Sequence, residues 1–549
     1  MKSSIHRARE YLLRRAADQR VLALAKQVQT RSTPDPNQKP VIFFNASTRL
    51  GGISQNAAFA TLSAMALQLA GVPVRYFACK AGLERCTLGV VINGAENPPP
   101  CKTCISQAEV LFANAPTRWF THHESKALDA ALENLDISAL TTFEFPLSLI
   151  HNSQFTIRNS QLTIPLGPLT LPSLRWTLRI HTLPDDAPTR ALFRAFIRSA
   201  YALAHQFAAF LAETDPQTVV VFNGIAYPEA IARWVAQQRG LRVITHEVAH
   251  QPLTAFFTDG HVTAYPVHIP ADFDLSPAQN ARLDATLQDR FQGNFTMAGL
   301  QFWPEMKGLD AALLEKIAAH RHLVPIFTNV IFDTSQIHAN AIFEHMFAWL
   351  DQIAEIIHAH PDTLFVIRAH PDELRPNSRK QARETVDEWV QRSGVANLSN
   401  VVYIAPREYL SSYALIQRAH FVMAYNSTIG LEAVLMGKPV LNGGKARYTQ
   451  YPIVYLPNTP AEHRHLAEQF LTAETVPLPP EFARNARRFQ YYQLWRTPLP
   501  FDAFLDPHPT RGYVTLKDFP VEALAQSETM NVIVEGILRG KEFLMPETL

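Results

Sequence analysis

Short apolar runs recur along this chain, and most end at polar residues before a stretch with helical spacing. They are VIFF (41–44), Val72–Phe77, TVVVFNG (218–224), Leu241–Ile244, Leu323–Phe327, Thr363–Ile367, runs ending at Tyr403 and Tyr425, and Pro439–Leu441. Continuous rather than alternating apolar runs are the mark of strands buried on both faces. Between the first two runs, Phe59, Leu62, Met65, Ala66 and Leu69 repeat at helical spacing, Ser54 or Asn56 can cap, and Gly71 stops the helix. The same periodicity runs over 189–213 and 338–358, and a last helix-like run covers Asn531–Phe543. Strand, loop, helix, strand is the rhythm of α/β proteins with parallel sheets.

The 549 residues exceed one typical hydrophobic core, so two or three domains are expected. The pattern divides the chain into a basic helix with its linker (1–38), a first α/β domain (39–305), a second (306–480) and a tail (481–549) that packs across both domains or closes over them. The segment NFTMAGLQFWPE (294–305) reads as the crossing between domains. The pair NSQFTI (152–157) and NSQLTI (159–164) reads as a short duplicated insertion at a loop or edge.

An apolar content of 47% with 18% charged residues suits a soluble globular protein, and a formal net charge of +1 argues against a dedicated nucleic-acid partner. No apolar run approaches the roughly 18–20 residues of a membrane span. The N-terminus lacks the compact apolar core and cleavage site of a signal peptide, so the expected location is the cytoplasm. Residues 1–31 hold eight Lys or Arg against Glu10 and Asp18, with leucines and valines interspersed. Such a helix can lie on an anionic bilayer at the inner membrane face, or it can pack on the protein body.

The four cysteines, Cys79, Cys86, Cys101 and Cys104, fall close together, the last two as CxxC in PPPCKTC. Four thiolates satisfy a tetrahedral structural zinc, and an iron–sulfur cluster is a lesser alternative. A redox dithiol at Cys101 and Cys104, or simply buried thiols, also fits.

Ligands in open α/β sheets bind beyond the carboxyl ends of strands, so the residues there are the candidates. In the first domain these are the loop Asn45–Gly52, with Arg49 near two glycines, and Thr245-His246-Glu247. The glycine loop is not a GxGxxG, so no dinucleotide and no organic cofactor is indicated. In the second domain, Arg368 and His370 end a strand. The Pro after His370 holds it in extended geometry, where both side chains can meet phosphate oxygens. Ser427 and Thr428 open a helix whose first amides favour an anion, and Gly430 permits close approach. Glu432, one turn on, is placed to accept ribose hydroxyls or simply to complement the helix dipole. Tyr403 ends a strand at the depth of a base, and Asn442 leads a further strand-tip loop.

The series R-x-HP-x-E (368–373) and S-T-x-G-x-E-A-x-x-x-G-K-P-V (427–440) resembles the GT-B glycosyltransferases of bacterial capsule and surface-polysaccharide synthesis. It is also similar to the HP and paired-hydroxyl motifs of capsular sialyl- and Kdo-transferases and teichoic-acid polymerases. The motifs cover about 320–480, and the likeness over 39–305 is architectural only. The resemblance implies two Rossmann-like parallel-sheet domains facing across a cleft. It further implies a nucleotide-sugar donor held through phosphate by His370, Ser427 and Thr428 and through ribose by Glu432, and a glycan or glycolipid acceptor. No acidic motif matches the family's general base, and Glu247 or His246 is the best-placed candidate. No DxD stands at a strand end, so the sequence does not demand a catalytic metal. A CDP-linked glycerophosphotransferase, a nucleotide-sugar epimerase and a non-enzymatic metal-binding scaffold are the alternatives.

Overall fold

A computed structural model describes residues 4–46, 52–93, 97–147, 162–293, 306–374, 381–510 and 512–547, with backbone alone for 4–11 and 91–93. Arg49, the first NSQFTI copy, the start of the second, and the 294–305 crossing segment lie outside the described residues. The chain forms two compact units. Met1–Thr177, Leu183–Thr263 and Arg496–Thr548 make the first; Leu178–Thr182 and Ala264–Trp495 make the second.

The first unit is built on a seven-stranded sheet. Its order is Leu499–Pro500, Thr254–Asp259, Arg242–Val248, Thr218–Phe222, Val41–Asn45, Val74–Cys79, Thr117–Phe120. The five strands from Arg242–Val248 to Thr117–Phe120 are parallel, and Thr254–Asp259 pairs antiparallel with the neighbour on each side. From Val41–Asn45 the chain builds outward in one direction, then returns to add Thr218–Phe222 on the other side. The order therefore reverses between those two strands, leaving a crevice at their carboxyl ends. The helix Gln55–Leu69 buries Phe59, Leu62 and Met65 in the core over this sheet, capped by Ser54, whose hydroxyl accepts the Ala57 amide at 3.2 Å.

Helix Ser4–Arg31 enters the same core through Val21, Leu24, Ala25 and Val28. Full burial of a Val or Leu is worth about 1.5–3 kcal/mol, enough to pin this half of the helix to the body. Leu12 and Leu13, earlier in it, are 62% and 63% exposed. No helix among the described residues is long and apolar enough to cross a membrane.

The second unit carries a five-stranded, fully parallel sheet. Its order is Val401–Ile404, Thr363–Arg368, His322–Phe327, Val422–Ala424, Val440–Asn442. Here the order reverses between His322–Phe327 and Val422–Ala424.

The boundaries differ from the sequence expectation in physically clear ways. The first unit gives way at 263 rather than 305, because helix Pro277–Phe291 buries Leu283 and Leu287 against Leu494 within the second unit. The tail divides. Residues up to Trp495 stay with the second unit, while Leu499–Pro500 joins the first sheet and helix Glu528–Arg539 sends Met530, Ile533 and Ile537 into the first core. The long helix expected over 338–358 is a short turn, Gln336–Ala339, followed by Met346–Ala359, whose start is capped by His345 Nδ1 accepting the Ala348 amide.

Candidate functional site

The sheet reversal of the second unit opens into a pocket of about 110 Å³. Phe327 and Thr328 from one strand tip, Arg368 and His370 from the next, and Ser427 and Thr428 from the strand across the reversal all line it. Residues that the sequence placed on separate strand ends are thus brought together. Each is there because its strand is a continuous apolar run that stops at the same level of the sheet.

Arg368 is the last residue of its strand and only 3% exposed. Its Nη1 donates to the Glu408 carbonyl at 2.8 Å, while its own carbonyl accepts the Thr328 hydroxyl at 3.0 Å. Burial pulls the guanidinium pKa down to about 10, so it stays charged at neutral pH but lacks water's full stabilisation. An anion restores what burial removes. His370 Nδ1 accepts the Asp372 amide at 3.1 Å, which leaves the proton of the neutral ring on Nε2 as a donor. Across the pocket, Ser427 is held by its backbone, whose carbonyl accepts the Tyr448 hydroxyl at 3.0 Å. Thr428 carries no capping bond. The helix behind them, Ile429–Leu435, has barely two turns, so the side chains rather than the helix field define this wall.

Four expected contacts are corrected. Glu432 lines the pocket, but both its oxygens are already engaged. Arg290 donates to Oε1 from Nη2 at 2.6 Å and from Nε at 3.1 Å, and the Tyr413 hydroxyl donates to Oε2 at 2.7 Å. The carboxylate belongs to a buried ion pair and is not poised over a ribose. Gly430 does permit a close approach, but of Tyr448: a Cβ there would stand 2.1 Å from its hydroxyl. Asn442 is fully buried and donates to Tyr448 Oη at 3.2 Å, so it supports the Ser427 turn from behind. Tyr403 is not among the pocket's lining residues, and burial raises its pKa. Sequence reasoning missed Arg290. It sits near the end of helix Pro277–Phe291, in a stretch assigned from sequence to the other domain, and nothing local announces it.

In the first unit, Glu247 stands beside the sheet reversal. Its Oε1 accepts from Asn56 Nδ2 at 2.9 Å and from the Val248 amide at 2.9 Å, and its Oε2 accepts from Asn223 Nδ2 at 2.8 Å. Asn223 adopts a left-handed φ of 57°, and its Oδ1 accepts the Ile225 amide, which fixes the side chain toward Glu247. A carboxylate offers about four acceptor positions, so among the described residues one remains open on Oε2. His246, the alternative base, is corrected. Neighbours on a strand face opposite ways, and His246 points into the core, 1% exposed, with its ring stacked on Phe257 at 5.0 Å. Burial drives its pKa down to about 3, so it is a neutral core residue.

The four cysteines line one pocket, together with Pro99 and Pro100. Even so, among the described residues no group of three or more His, Cys, Asp or Glu is arranged to hold a metal ion. The zinc or iron–sulfur centre expected at Cys79, Cys86, Cys101 and Cys104 gains no support from this arrangement.

Comparison with known proteins bears on the second unit. Residues 304–466 match the family model described as capsule polysaccharide biosynthesis protein. No curated protein matches the chain. Among solved structures, the KpsC β-Kdo 2,4 transferase of Thermosulfurimonas dismutans aligns at 12% identity over 56% of this chain and 87% of its own, with a TM-score of 0.34. The UDP-GlcNAc 2-epimerase of Neisseria meningitidis bound to UDP-GlcNAc aligns at 14% identity over 83% of this chain and 99% of its own, with a TM-score of 0.23. Those scores are low, and the site rests on this chain's own residues. Residues 304–466 are thus similar to capsule polysaccharide biosynthesis proteins, within a chain built as two α/β units, each on a largely parallel sheet.

Proposed function

We propose that the protein is a glycosyltransferase that takes a sugar from a nucleotide-sugar donor and passes it to a glycan or glycolipid hydroxyl in capsule or surface-polysaccharide assembly. The observation that carries this reading is the convergence of Arg368, His370, Ser427 and Thr428 on one pocket at the sheet reversal of the second unit. A guanidinium, an N–H donor and two hydroxyls facing one space suit the phosphate oxygens of a nucleotide.

As the glycosyl bond breaks, negative charge grows on the departing phosphate. Arg368 and His370 meet that charge where it develops, and donors already in place need no reorganisation at that moment. Ser427 and Thr428 fix the phosphate in position. Arg290 is held against Glu432, which keeps a second guanidinium on the pocket wall with its charge balanced. Glu247 is the proposed general base, taking a proton from the acceptor hydroxyl through the remaining position on Oε2. An epimerase working by elimination needs several carboxylates around the sugar. Among the lining residues only Glu432 is one, and it is paired.

The test is incubation with a panel of nucleotide sugars and detection of free nucleotide. Release of CMP, UDP or GDP that requires His370 supports glycosyl transfer and names the leaving group. Interconversion of the sugar without net nucleotide release would give the activity to the epimerase alternative. Release of CMP from CDP-glycerol alone would give it to glycerophosphate transfer.

A further inference from the structure

The cysteine pocket of the first unit has no part in the proposed reaction, yet it gathers every cysteine of the chain. The four thiols divide into two kinds. Cys79 Sγ accepts the Gly82 amide at 3.3 Å, and Cys86 Sγ accepts the Gly89 amide at 3.1 Å. Gly89 packs so tightly that a Cβ there would come within 2.9 Å of Cys86 Sγ. These two sulfurs are held in place as hydrogen-bond acceptors of their own loops. Burial raises their thiols to about 12 and about 11, so neither ionises at neutral pH.

Cys101 and Cys104 are different. They open the helix Cys101–Leu111, and the Cys104 amide bonds back to the Pro100 carbonyl at 3.3 Å, which closes the first turn. All four cysteines are half-buried, and what sets this pair apart is its place together in the first turn of one helix. Helix geometry sets residues three apart about 5 Å from one another at Cα, from a rise of about 1.5 Å per residue on a radius of about 2.3 Å. That lies inside the roughly 4.4–6.8 Å span a disulfide accepts without moving the backbone. Burial raises the Cys101 thiol, so exchange by this pair rests on its spacing within one turn rather than on an activated thiolate.

We propose that Cys101 and Cys104 are a thiol–disulfide exchange pair, oxidised by low-molecular-weight disulfides of the glutathione class. One thiol of the pair loses its proton and attacks a sulfur of the incoming disulfide. A protein–glutathione mixed disulfide forms and one glutathione thiolate leaves. The second thiol loses its proton, attacks the protein sulfur of that mixed disulfide and expels the second glutathione thiolate. Two protein thiols become one disulfide, one glutathione disulfide becomes two thiols, and the two protons pass to the leaving thiolates.

The full chain, reduced and then treated with oxidised glutathione, is examined by thiol titration and intact mass. The expected result is loss of two of the four free thiols and a mass lower by about 2 Da, with peptide mapping joining Cys101 to Cys104. The variant C79S/C86S gives the same linkage, while C104S stops at a stable glutathione adduct on Cys101. Retention of all four thiols, or a linkage through Cys79 or Cys86, overturns the proposal. So does one equivalent of zinc retained through purification under reducing conditions and shielding all four thiols.

Discussion

Replacing Glu432 with Gln separates two accounts of the same residue. The substitution keeps shape and one acceptor oxygen but removes the charge facing Arg290. Both side chains are deeply placed, with 15% of Arg290 and 5% of Glu432 exposed, and the shortest contact is 2.6 Å. Removing one partner of a buried pair leaves the other charge uncompensated, at a cost of about 3–5 kcal/mol. The amide oxygen still accepts from Tyr413 or Arg290, so the lower end, about 3 kcal/mol, is expected. For a unit of this size each kcal/mol shifts the midpoint by roughly 2–4 °C, so circular dichroism should record a fall of about 6–12 °C. Adding Arg290→Met removes the stranded charge. The double variant should recover about 2 kcal/mol relative to the sum of the single changes, as coupled neighbours do. A Glu432→Gln protein with an unchanged midpoint and lost nucleotide affinity would refute the ion-pair account and restore the ribose role.

Two further outcomes follow from buried ionisable groups. Burial raises Glu373 to about 8 and Glu229 to about 8. Each is protonated in the fold, whereas the unfolded chain releases the proton above its ordinary value of 4.5. Stability from these groups is therefore complete below about pH 4.5 and is lost as pH rises toward 8. Urea unfolding at pH 5 and pH 8 should show this decline, and Glu373→Gln should flatten it; an unchanged slope in that variant would count against the assignment. His246→Phe should keep turnover and fill the same stacked position. It should also resist acid better, because a histidine held at about 3 in the fold loses stability as pH falls below its ordinary 6.5. Loss of turnover with an intact fold would return His246 to the reaction.

The two sheets were legible because their strands are continuous apolar runs, and the second-unit pocket was legible because Arg368, His370, Ser427 and Thr428 each stand at the end of one. Parallel strands end at one level of a sheet, so residues at run ends converge without any long-range information. What the sequence did not disclose were partners. Spacing put Glu432 on the right helix face, but Arg290 lies 142 positions away in the chain, and only folding shows that it claims the carboxylate. His246 and Glu247 looked alike as strand-tip residues. Alternation fixes that they face opposite ways but not which of them faces the core. The same gap explains Gly430 and Asn442, whose neighbour Tyr448 is supplied by a later loop. Four cysteines within one stretch announce proximity and leave sulfur direction open.

The central claim is that nucleotide phosphate is held by Ser427 and Thr428 on one side of the second-unit pocket and by His370 and Arg368 on the other. Calorimetric titration of CMP, UDP and GDP into the native protein and into Ser427→Ala, Thr428→Val and His370→Ala tests it most directly. One of these nucleotides should bind the native chain, and each variant should bind it about tenfold or more weakly, the loss of one charge-assisted hydrogen bond of about 1.5 kcal/mol, with an unchanged unfolding midpoint. Native-like affinity in all three variants would contradict the account.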